Sequence, residues 1–430
     1  MKRLTLAFLL VTVGTAAGAQ QSAPSATVVE IPPLTSPDEG TRGNEMLQIG
    51  WEATQLIASD LGQTAELMPL KPKREDYVSY PEVTAPSFGK WRPLGAKLLL
   101  TGFVQSRSDG RIAIGCYVYD VGKGTELARK GFVLPKSDWR RAAHKCSALA
   151  YTAVTGSPGM FDTRIAYVSE KGTGDAKVRR IAFMDSDGYN HKYLTSGNSI
   201  VLKPRQSPNA SQLAYVSFES GKPTIRLLDV GTGQERPLVP IDAINFAPRF
   251  SRDGSQIAFS MMLGPNSDIY SVGAGGGMPR RLTTSPAVDT DPSYSPDGSK
   301  IVFESDRSGS QQLYVMNADG SNERRISFGA GAYATPEWSP DGQWIAFTGR
   351  SQYGRRIGIM KPDGTEERYL TNGPADEAPT WAASSREIMF ARFGQGARWT
   401  LYRLSLSGGD AQQVAIPQDG SDPDWSGAMD

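Results

Sequence analysis

Hydrophobic and polar positions repeat with a fixed period in the second half of the chain. A segment of the form Pro-x-aromatic-Ser-x-Asp-Gly occurs at 248–254, 292–298 and 336–342, and fainter copies begin at Pro204, Pro379 and Pro423. The intervals between successive prolines are 44, 44, 44, 43 and 44 residues. Self-similarity at a period of this length is typical of solenoids and propellers. The pattern therefore indicates six copies of one structural unit.

Each unit also contains further short β-rich runs in a constant order. After the turn comes a run such as Ile257-Ala258-Phe259, with counterparts that begin at Ile165, Leu213, Ile301, Ile345 and Ile388. A third run recurs at Ile181, Ile225, Ile269, Leu313, Ile357 and Leu401. A fourth run includes 280–283, 324–327 and 368–371. Four strands per unit are typical of a propeller blade, so the sequence predicts a six-bladed β-propeller over residues 159–430.

The Ser-Pro-Asp-Gly sequences between the first and second runs have the composition of hairpin turns. Proline presets φ at the second turn position, aspartate bonds nearby backbone groups, and glycine accepts a positive φ without steric cost. A sialidase-type aspartate box or a metal-binding loop would use similar residues. The hydrophobic strands that flank the turns favour the structural interpretation.

The two ends of the repeat array complement each other. The first unit has the run at Ile165 but no proline-aromatic run before it, whereas the last unit has Pro423-Asp424-Trp425 and no Ile-Ala-Phe run after it. The sequence therefore predicts that the C-terminal strand joins the first blade and closes the ring, which removes exposed strand edges.

Residues 20–158 lack the period, and they predict a separate N-terminal domain. Its pattern indicates a strand at 28–31, a helix over 44–61 with Asn44 as N-cap, strands at 97–104, 111–121 and 126–134, and a second helix over 137–154. Gly62 and Gly156 follow the two helices, as expected of C-terminal stops. This order predicts a small α/β sandwich in which two helices cover a mixed sheet.

The first nineteen residues have the pattern of an export signal. Lys2 and Arg3 precede an apolar run over 4–13, and Ala17-Gly18-Ala19 forms a small-residue cleavage site. We expect cleavage between Ala19 and Gln20 and a product located in the periplasm, or secreted. An uncleaved anchor is the alternative, although the apolar run is much shorter than the ~20 residues that span a membrane.

The charge balance and the hydrophobic content of the chain limit the kinds of partner that it can bind. Lys and Arg number 46 against 45 Asp and Glu, which gives a net charge of +1, and 39% of the residues are hydrophobic. A chain with this balance has enough apolar residues for a core and no excess positive field for nucleic acid. We therefore expect a globular protein that does not bind nucleic acid.

The two cysteines lie at positions that both face inward in the predicted domain. Cys116 shares a strand face with Ile112, Ile114 and Val118, and Cys146 lies on the apolar side of the second helix. A helix packed on the sheet could bring them together as a disulfide in an oxidising compartment. Two buried, unpaired cysteines are the alternative.

The search for catalytic residues is mostly negative. His144 and His191 are the only histidines, and the chain contains no HExxH, CxxC, GxSxG, P-loop or Rossmann sequence. Asp253, Asp297 and Asp341 recur at equivalent turn positions, which favours a structural use. We expect no enzyme activity, no catalytic residue, no metal and no cofactor.

The segments just before the blade prolines vary from unit to unit and converge at one mouth of the predicted channel. They cover 244–247, 289–291, 332–335, 376–378 and 421–422 and combine aromatic or apolar residues with carboxylates. This composition suits a protein contact with a polar rim. Ordinary solvated loops are the alternative.

Several segments resemble the TolB family of the periplasmic Tol–Pal system. The resemblance is carried by Trp139-Arg140-Arg141-Ala142-Ala143-His144, by Val154-Thr155-Gly156 and by Phe161-Asp162-Thr163-Arg164-Ile165-Ala166-Tyr167-Val168 at the domain junction. It extends to 184–190 and 218–222 in the first two blades. Nearly the whole mature chain is covered. The blade motif is shared with many propellers, whereas the junction is specific.

The resemblance implies a non-enzymatic scaffold that acts in cell division and envelope integrity. It implies that the lipoprotein Pal binds at the propeller mouth and that TolA, of the TolQ–TolR–TolA inner-membrane complex, binds the mature N-terminus. Residues that correspond to Pal contacts in the family are Ile244, Ala247, Thr290 and Asp291, and we extend the set around the ring to Tyr333, Thr335, Asp376, Glu377 and Asp422. The TolA segment would include Gln20, Gln21, Ala23, Ala26, Val28 and Val29 and could add as a strand to its partner, although Pro24 interrupts pairing. We expect a monomer without a membrane span.

Two other classes of function are compatible with the sequence. One is a periplasmic enzyme or a binding module that uses the propeller mouth for a different partner. The other is the accessory propeller of a serine peptidase, which would need an additional hydrolase domain with its nucleophile. A cluster of unique catalytic residues at the mouth would favour an enzyme.

Overall fold

The structure is a computed structural model that describes residues 26–427 apart from residues 374 and 395. The predicted signal peptide over 1–19 lies outside the described residues, as do Gln20, Gln21 and Ala23 of the predicted TolA segment.

The N-terminal unit is a mixed five-stranded sheet with two helices, as the sequence predicted. Its elements are β1 (Thr27–Glu30), α1 (Gly40–Leu61), β2 (Leu67–Pro69), β3 (Leu98–Ser106), β4 (Arg111–Asp120), β5 (Thr125–Pro135) and α2 (Trp139–Thr155). Short 3₁₀ turns lie at Arg74–Asp76, Tyr80–Val83, Phe88–Lys90, Arg92–Leu94 and Lys136–Asp138. The strand order is β2-β1-β3-β4-β5, with β1 parallel to both of its neighbours and the other pairs antiparallel.

Three local details differ from the sequence prediction. Helix α2 begins at Trp139 instead of residue 137, because Lys136–Asp138 form a separate 3₁₀ turn. Helix α1 begins at Gly40 instead of Asn44, because the Gly43 N–H already bonds the Glu39 carbonyl at 3.2 Å and closes an earlier turn. Asn44 is therefore an exposed residue inside the helix and not the N-cap. Strand β2 was not predicted, since it has only three residues and ends in proline.

The helices and the sheet share one core, and a disulfide lies within it. Cys116 of β4 and Cys146 of α2 are both fully buried and are bonded, with Cα atoms 5.8 Å apart. Of the two alternatives that the sequence left open, the structure therefore has the paired one. The same core continues through Tyr151 and Phe161 to Tyr167 and Trp425 of the propeller.

The remaining strands form six four-stranded antiparallel sheets arranged as a propeller. Blade 1 contains β6 (Arg164–Lys171), β7 (Val178–Asp185) and β8 (Lys192–Tyr193). Blade 2 contains β9 (Val201–Gln206), β10 (Gln212–Ser217), β11 (Thr224–Asp229) and β12 (Glu235–Pro237). Blade 3 contains β13 (Ile244–Phe250), β14 (Gln256–Met262), β15 (Ser267–Gly273) and β16 (Arg280–Arg281).

The last three blades follow the same order. Blade 4 contains β17 (Asp289–Tyr294), β18 (Lys300–Ser305), β19 (Gln312–Asn317) and β20 (Arg324–Arg325). Blade 5 contains β21 (Ala332–Trp338), β22 (Ile345–Ser351), β23 (Gly354–Met360) and β24 (Arg368–Tyr369). Blade 6 contains β25 (Asp376–Trp381), β26 (Glu387–Gly394), β27 (Arg398–Ser405) and β28 (Gln412–Gln413).

The final strand, β29 (Asp419–Trp425), closes the ring as predicted. It pairs antiparallel with β6 and thereby supplies the inner strand of blade 1. The Trp425 indole donates a hydrogen bond to the Thr163 hydroxyl at 2.8 Å, and the Ser426 N–H bonds the Arg164 carbonyl at 2.8 Å. The first blade is therefore assembled from both ends of the repeat array.

The propeller has two different faces, which we name by their connections. The six inner strands contact one another around the axis, and they all run in the same direction because every blade is built in the same order. The entry face is the end at which these strands begin, and it carries the connections between blades and the hairpins between second and third strands. The turn face is the opposite end, and it carries the Ser-Pro-Asp-Gly hairpins.

The N-terminal unit is bonded to the propeller at the turn face of blades 6 and 1. Arg386, in the first hairpin of blade 6, pairs with Glu66 at 3.0 Å, and Arg403 donates to the Gln63 side chain at 2.8 Å. Arg140 of α2 pairs with Asp187, which lies in the turn between β7 and β8. These contacts leave the entry face on the far side of the propeller from the N-terminal unit.

Candidate functional site at the propeller mouth

One residue in each inner strand has a left-handed backbone although it is not glycine. It is the residue before the blade proline, and its φ lies between 47° and 55° in Lys203, Ala247, Asp291, Thr335, Ala378 and Asp422. A positive φ is uncommon for residues with a Cβ atom. We call these six residues the pre-proline ring. The pairing register of each inner strand shifts at this level, so every blade carries a bulge just inside the mouth.

Side chains of the neighbouring blade hold three members of the ring in place. The Asp291 N–H donates to Ser260 Oγ at 3.2 Å, the Thr335 N–H to Glu304 Oε2 at 3.1 Å, and the Ala378 N–H to Thr348 Oγ1 at 3.1 Å. The three acceptors occupy the same position of successive second strands, at intervals of 44 residues. A bulge leaves the N–H group of the ring residue without a partner in its own sheet. In these three blades, a side chain of the neighbouring blade accepts that N–H group.

An ion pair crosses the mouth from blade 2 to blade 4. Lys203 Nζ lies 2.5 Å from Asp291 Oδ1, and the Lys203 N–H reaches Asp422 Oδ2 of blade 1 at 3.4 Å. Burial alone would raise the pKa of Asp291, but the charge and hydrogen bond of the Lys203 ammonium, together with the charges of Arg205 and Arg249, outweigh burial and hold that pKa below its usual value. Asp291 is therefore an anion at neutral pH.

A second carboxyl lies directly behind this ion pair. Glu304 of β18 is buried, and its Oε1 accepts a hydrogen bond from the Thr290 hydroxyl at 2.5 Å. Burial, together with the negative charge of Asp291, raises the pKa of Glu304 to about 7. The mouth therefore contains a carboxyl that titrates near neutral pH.

Further along the channel, two arginines and two carboxylates form a buried network. Arg249 Nη1 lies 2.8 Å from Glu337 Oε2 and 3.4 Å from Asp424 Oδ1, and Arg205 lies 3.8 Å from the same Asp424 atom. The Gln206 N–H donates to Asp424 Oδ2 at 2.8 Å. The four charges balance, which is the condition under which buried ions are tolerated.

The structure brings most of the predicted Pal-contact residues to the mouth. Asp291, Thr335 and Asp422 belong to the pre-proline ring and are half-buried, whereas Ala247 in the same ring and the adjacent Thr290 are buried. Ile244 begins β13 and is half-buried. Glu377 is also half-buried and pairs with Arg355 at 2.6 Å.

Two predicted residues have side chains that are enclosed in the propeller. The Asp376 carboxylate is fully buried and accepts two hydrogen bonds from Arg392, at 2.6 and 2.9 Å. Tyr333 is buried against Phe347, and its hydroxyl bonds Glu367 at 2.7 Å. In this conformation, neither side chain is available for a partner.

The structure also reveals a mouth residue that sequence reasoning missed. Lys203 occupies the same pre-proline position as Ala247 and Asp291, so the 44-residue repeat could have identified it. What the repeat could not reveal is the contact with Asp291, because that contact spans two blades.

Large apolar side chains are exposed on the connections of the entry face. Val288 and Ile200 directly precede inner strands and have 41% and 45% of their surface exposed. Other exposed apolar side chains on this face are Leu263, Phe328 and Tyr353. Scattered single residues of this kind are normal, but here they lie around a polar mouth, which reverses the polar rim that the sequence led us to expect.

Both histidines lie away from this mouth. His144 of α2 is buried, and its Nδ1 lies 2.8 Å from Asp60 Oδ2, while Nε2 lies 3.4 Å from Asp187 Oδ2. His191 Nε2 bonds the Tyr167 hydroxyl at 3.0 Å.

Over the residues that the structure describes, no group of three His, Cys, Asp or Glu side chains is arranged for a metal ion. None of the helices in the same residues is long and apolar enough to cross a membrane.

Comparisons of the sequence with family models and with curated proteins all match the same family. Residues 151–429 match the model of the TolB beta propeller domain, and residues 25–127 match the model of the TolB amino-terminal domain. The Tol-Pal system protein TolB of Zymomonas mobilis is 46% identical over 218 residues, which cover 51% of this chain and 47% of that protein. The corresponding protein of Rhizorhabdus wittichii is 46% identical over 195 residues, or 45% of this chain and 44% of that protein. The matched segments thus span about half the length of these curated relatives.

A solved structure matches over most of the chain. The crystal structure of TolB from Acinetobacter baumannii has a TM-score of 0.77 and 26% identity, over 94% of this chain and 98% of that chain. Its likeness extends across both the N-terminal unit and the propeller. With the two family models, of which the propeller model alone matches more than half of the sequence, these findings show that the chain belongs to the TolB family.

Proposed function

We propose that this protein is a non-enzymatic periplasmic scaffold of the Tol–Pal system. In this proposal, the signal peptide over 1–19 is removed and the entry face of the propeller binds the lipoprotein Pal. The N-terminal segment binds TolA, and the two contacts support outer-membrane invagination during division. Family membership supports a role in the system, and the particular contacts are our proposal.

The observation that carries the Pal contact is the difference between the two propeller faces. The N-terminal unit is bonded at the turn face through Arg386, Arg403 and Asp187, whereas the mouth on the entry face lies on the far side. At that mouth, half-buried charged groups are surrounded by exposed apolar side chains such as Val288. In a contact at this mouth, burying the apolar groups would provide affinity and the charged groups would provide specificity.

The segment that we propose for TolA binding is shorter than the one that the sequence suggested. Val28 and Val29 lie in β1, which is hydrogen-bonded to β2 on one side and β3 on the other, and Val29 is fully buried. Neither residue can pair with a partner strand while the sheet is intact. We therefore restrict the proposed TolA segment to Gln20, Gln21, Ala23 and Ala26, of which only Ala26 is described by the structure.

Calorimetry with the Pal domain from the same organism tests the main contact. We expect the mature chain to bind and Asp291→Arg to abolish binding, because a guanidinium beside Lys203 replaces the attractive pair with two like charges. Glu366→Arg is the matched control, since Glu366 is exposed in the third turn of blade 5 on the turn face. Circular dichroism and melting temperature should establish that both variants are folded.

Three results would separate the possibilities. Loss of binding in Asp291→Arg alone supports the mouth as the interface. Equal binding by all three proteins would move the interface elsewhere on the surface. No binding by the unaltered chain would contradict the Pal contact and reopen the alternative of an enzyme or a module with another partner.

A further inference from the structure

We propose that Lys203 determines specificity at the mouth by requiring a hydrogen-bond acceptor from the docked partner. This inference rests on the proposed binding of Pal and identifies the chemistry that the docked surface must present. The partner group would be a carboxylate or a backbone carbonyl placed over the Lys203–Asp291 pair.

The first step of the argument is the position of Lys203 in the mouth. Its side chain starts in the inner strand of blade 2 and reaches Asp291 in blade 4. The ring residue of the intervening blade 3 is Ala247, whose side chain is short and buried. The lysine therefore bridges two non-adjacent blades, and it is about one quarter exposed, with a side-chain exposure of 25%.

The second step is the hydrogen-bonding capacity of the ammonium. A lysine ammonium has three N–H donors and no acceptor, and Asp291 accepts one of these bonds. Because the side chain is still partly exposed, water can serve the remaining donors in the free protein. A partner that covers the mouth removes that water, and it must then supply an acceptor or leave a charged group unsatisfied.

The third step is the charge balance below the lysine. Asp291 is anionic because Lys203 is beside it, while Glu304 behind it is partly protonated near neutral pH. Arg205 and Arg249 also lower the pKa of Asp291 from deeper in the channel, where Glu337 and Asp424 balance them. Lys203 therefore keeps N–H donors that its contact with Asp291 does not use.

This arrangement discriminates among partners in two ways: it lowers the affinity of unsuitable surfaces and raises the affinity of suitable ones. A surface that places an apolar or cationic group over Lys203 desolvates the ammonium without compensation, which costs affinity. A surface that places an acceptor there keeps the Lys203–Asp291 pair and adds a charge-assisted hydrogen bond. The mouth thus selects for a docked surface that places a carbonyl or carboxylate over Lys203.

Three variants of the mature chain test the proposal by calorimetry with the Pal domain. Lys203→Met keeps the apolar stem and removes the donors, Asp291→Asn removes the anion, and Lys203→Met/Asp291→Asn removes both charges together. We expect Lys203→Met and the double variant to lose affinity by roughly tenfold or more, and Asp291→Asn to lose less. Lys300→Met is the matched control, since Lys300 is exposed at the turn-face end of β18.

The double variant separates recognition from a purely structural role. If Lys203 only neutralises Asp291, removal of both charges should restore the affinity of the unaltered chain, and the proposal is then wrong. Unchanged affinity in Lys203→Met would also overturn it while leaving the Pal contact intact. If the unaltered chain does not bind Pal, the proposed function fails first and this inference fails with it. Melting temperatures of all variants exclude loss of the fold as the cause.

Discussion

The pre-proline ring shows how single residues shape the mouth. A left-handed backbone at a residue with a Cβ costs on the order of 1 kcal/mol or more, and the ring repeats it in all six blades. Ser260, Glu304 and Thr348 each accept the N–H group of the ring residue in the next blade, so the neighbouring blade supports the strained conformation. The ring residues are thus fixed by contacts between blades and not by their own strand alone.

Glu304 makes this support dependent on pH. Its folded-state pKa of about 7 lies above the ordinary glutamate value of 4.5, so its contribution to stability is complete below pH 4.5 and is lost as pH rises through about 7. Glu304→Gln removes this dependence, because the amide can accept from the Thr335 N–H and donate to the Thr290 hydroxyl without ionising. We expect the variant to gain roughly 1–3 kcal/mol relative to the unaltered chain between about pH 5 and about pH 8.

Thermal unfolding of both proteins at the two pH values measures this gain. The same comparison with Thr348→Val provides a control, because this change also alters an acceptor of the ring but removes no titratable group. A stability difference between Glu304→Gln and the unaltered chain that does not change with pH would contradict the assigned titration.

At the scale of elements, a buried ionic cluster ties α1 and α2 to blade 1. His144 and Arg140 of α2 lie between Asp60 of α1 and Asp187 of the blade turn. Burial alone lowers the pKa of His144, but hydrogen bonds to Asp187 and Asp60 outweigh burial and raise that pKa to about 10. With His144 protonated, the two cations balance the two carboxylates.

His144→Gln should therefore destabilise the chain in a pH-dependent way. Because the folded-state pKa is above the ordinary histidine value of 6.5, the stabilisation by His144 is complete below pH 6.5 and declines as pH rises toward about 10. We expect a loss of about 2–4 kcal/mol at about pH 6 that becomes smaller at about pH 9. Denaturant unfolding across this pH range measures it, and a constant loss would mean that the pKa of His144 is the same in the folded and unfolded chain.

The sequence predicted well those elements whose hydrophobic pattern is repeated along the chain or extends over many residues. Six copies of the 44-residue pattern located the blades, and the apolar stripe of α1 located that helix up to its start. Helix α1 begins earlier because Gly43 and Glu39 close a turn that has no strong sequence signal. Strand β2 was missed because it is held in the sheet by β1 and not by its own pattern.

The mouth was predictable only in part, for a related reason. The repeat placed Ala247, Asp291, Thr335 and Asp422 at one level of the channel, since their distance from the blade proline is fixed. It did not reveal that Asp376 pairs with Arg392 or that Lys203 reaches Asp291, because these bonds depend on side-chain direction and on blades far apart in sequence.

At the scale of the whole molecule, the ring is closed by strand pairing between β29 and β6. Removal of residues 421–430 deletes most of β29 and with it Trp425, which is buried and bonded to Thr163. Loss of a buried tryptophan costs about 3–5 kcal/mol, and each kcal/mol lowers the melting temperature of a domain the size of the propeller by about 2 °C. We expect a decrease of roughly 5 °C or more.

A chain that lacks only residues 428–430 keeps β29 and serves as the control. Differential scanning calorimetry of the three proteins compares the transitions directly. If the longer deletion melts at the same temperature as the unaltered chain, the pairing of β29 with β6 does not stabilise the ring.

The position of β1 has a mechanical consequence for the N-terminal unit. The chain enters β1 from residue 26, and β1 lies between two parallel neighbours, with bonds from the Thr27 N–H to the Glu66 carbonyl and from the Lys97 N–H to the Val28 carbonyl. Tension applied to the N-terminal segment along the strand would load the bonds on both sides of β1 in shear, all at once, instead of opening them one after another. The sheet would therefore transmit such a pull into the core that joins α2 to blade 1 before β1 is extracted.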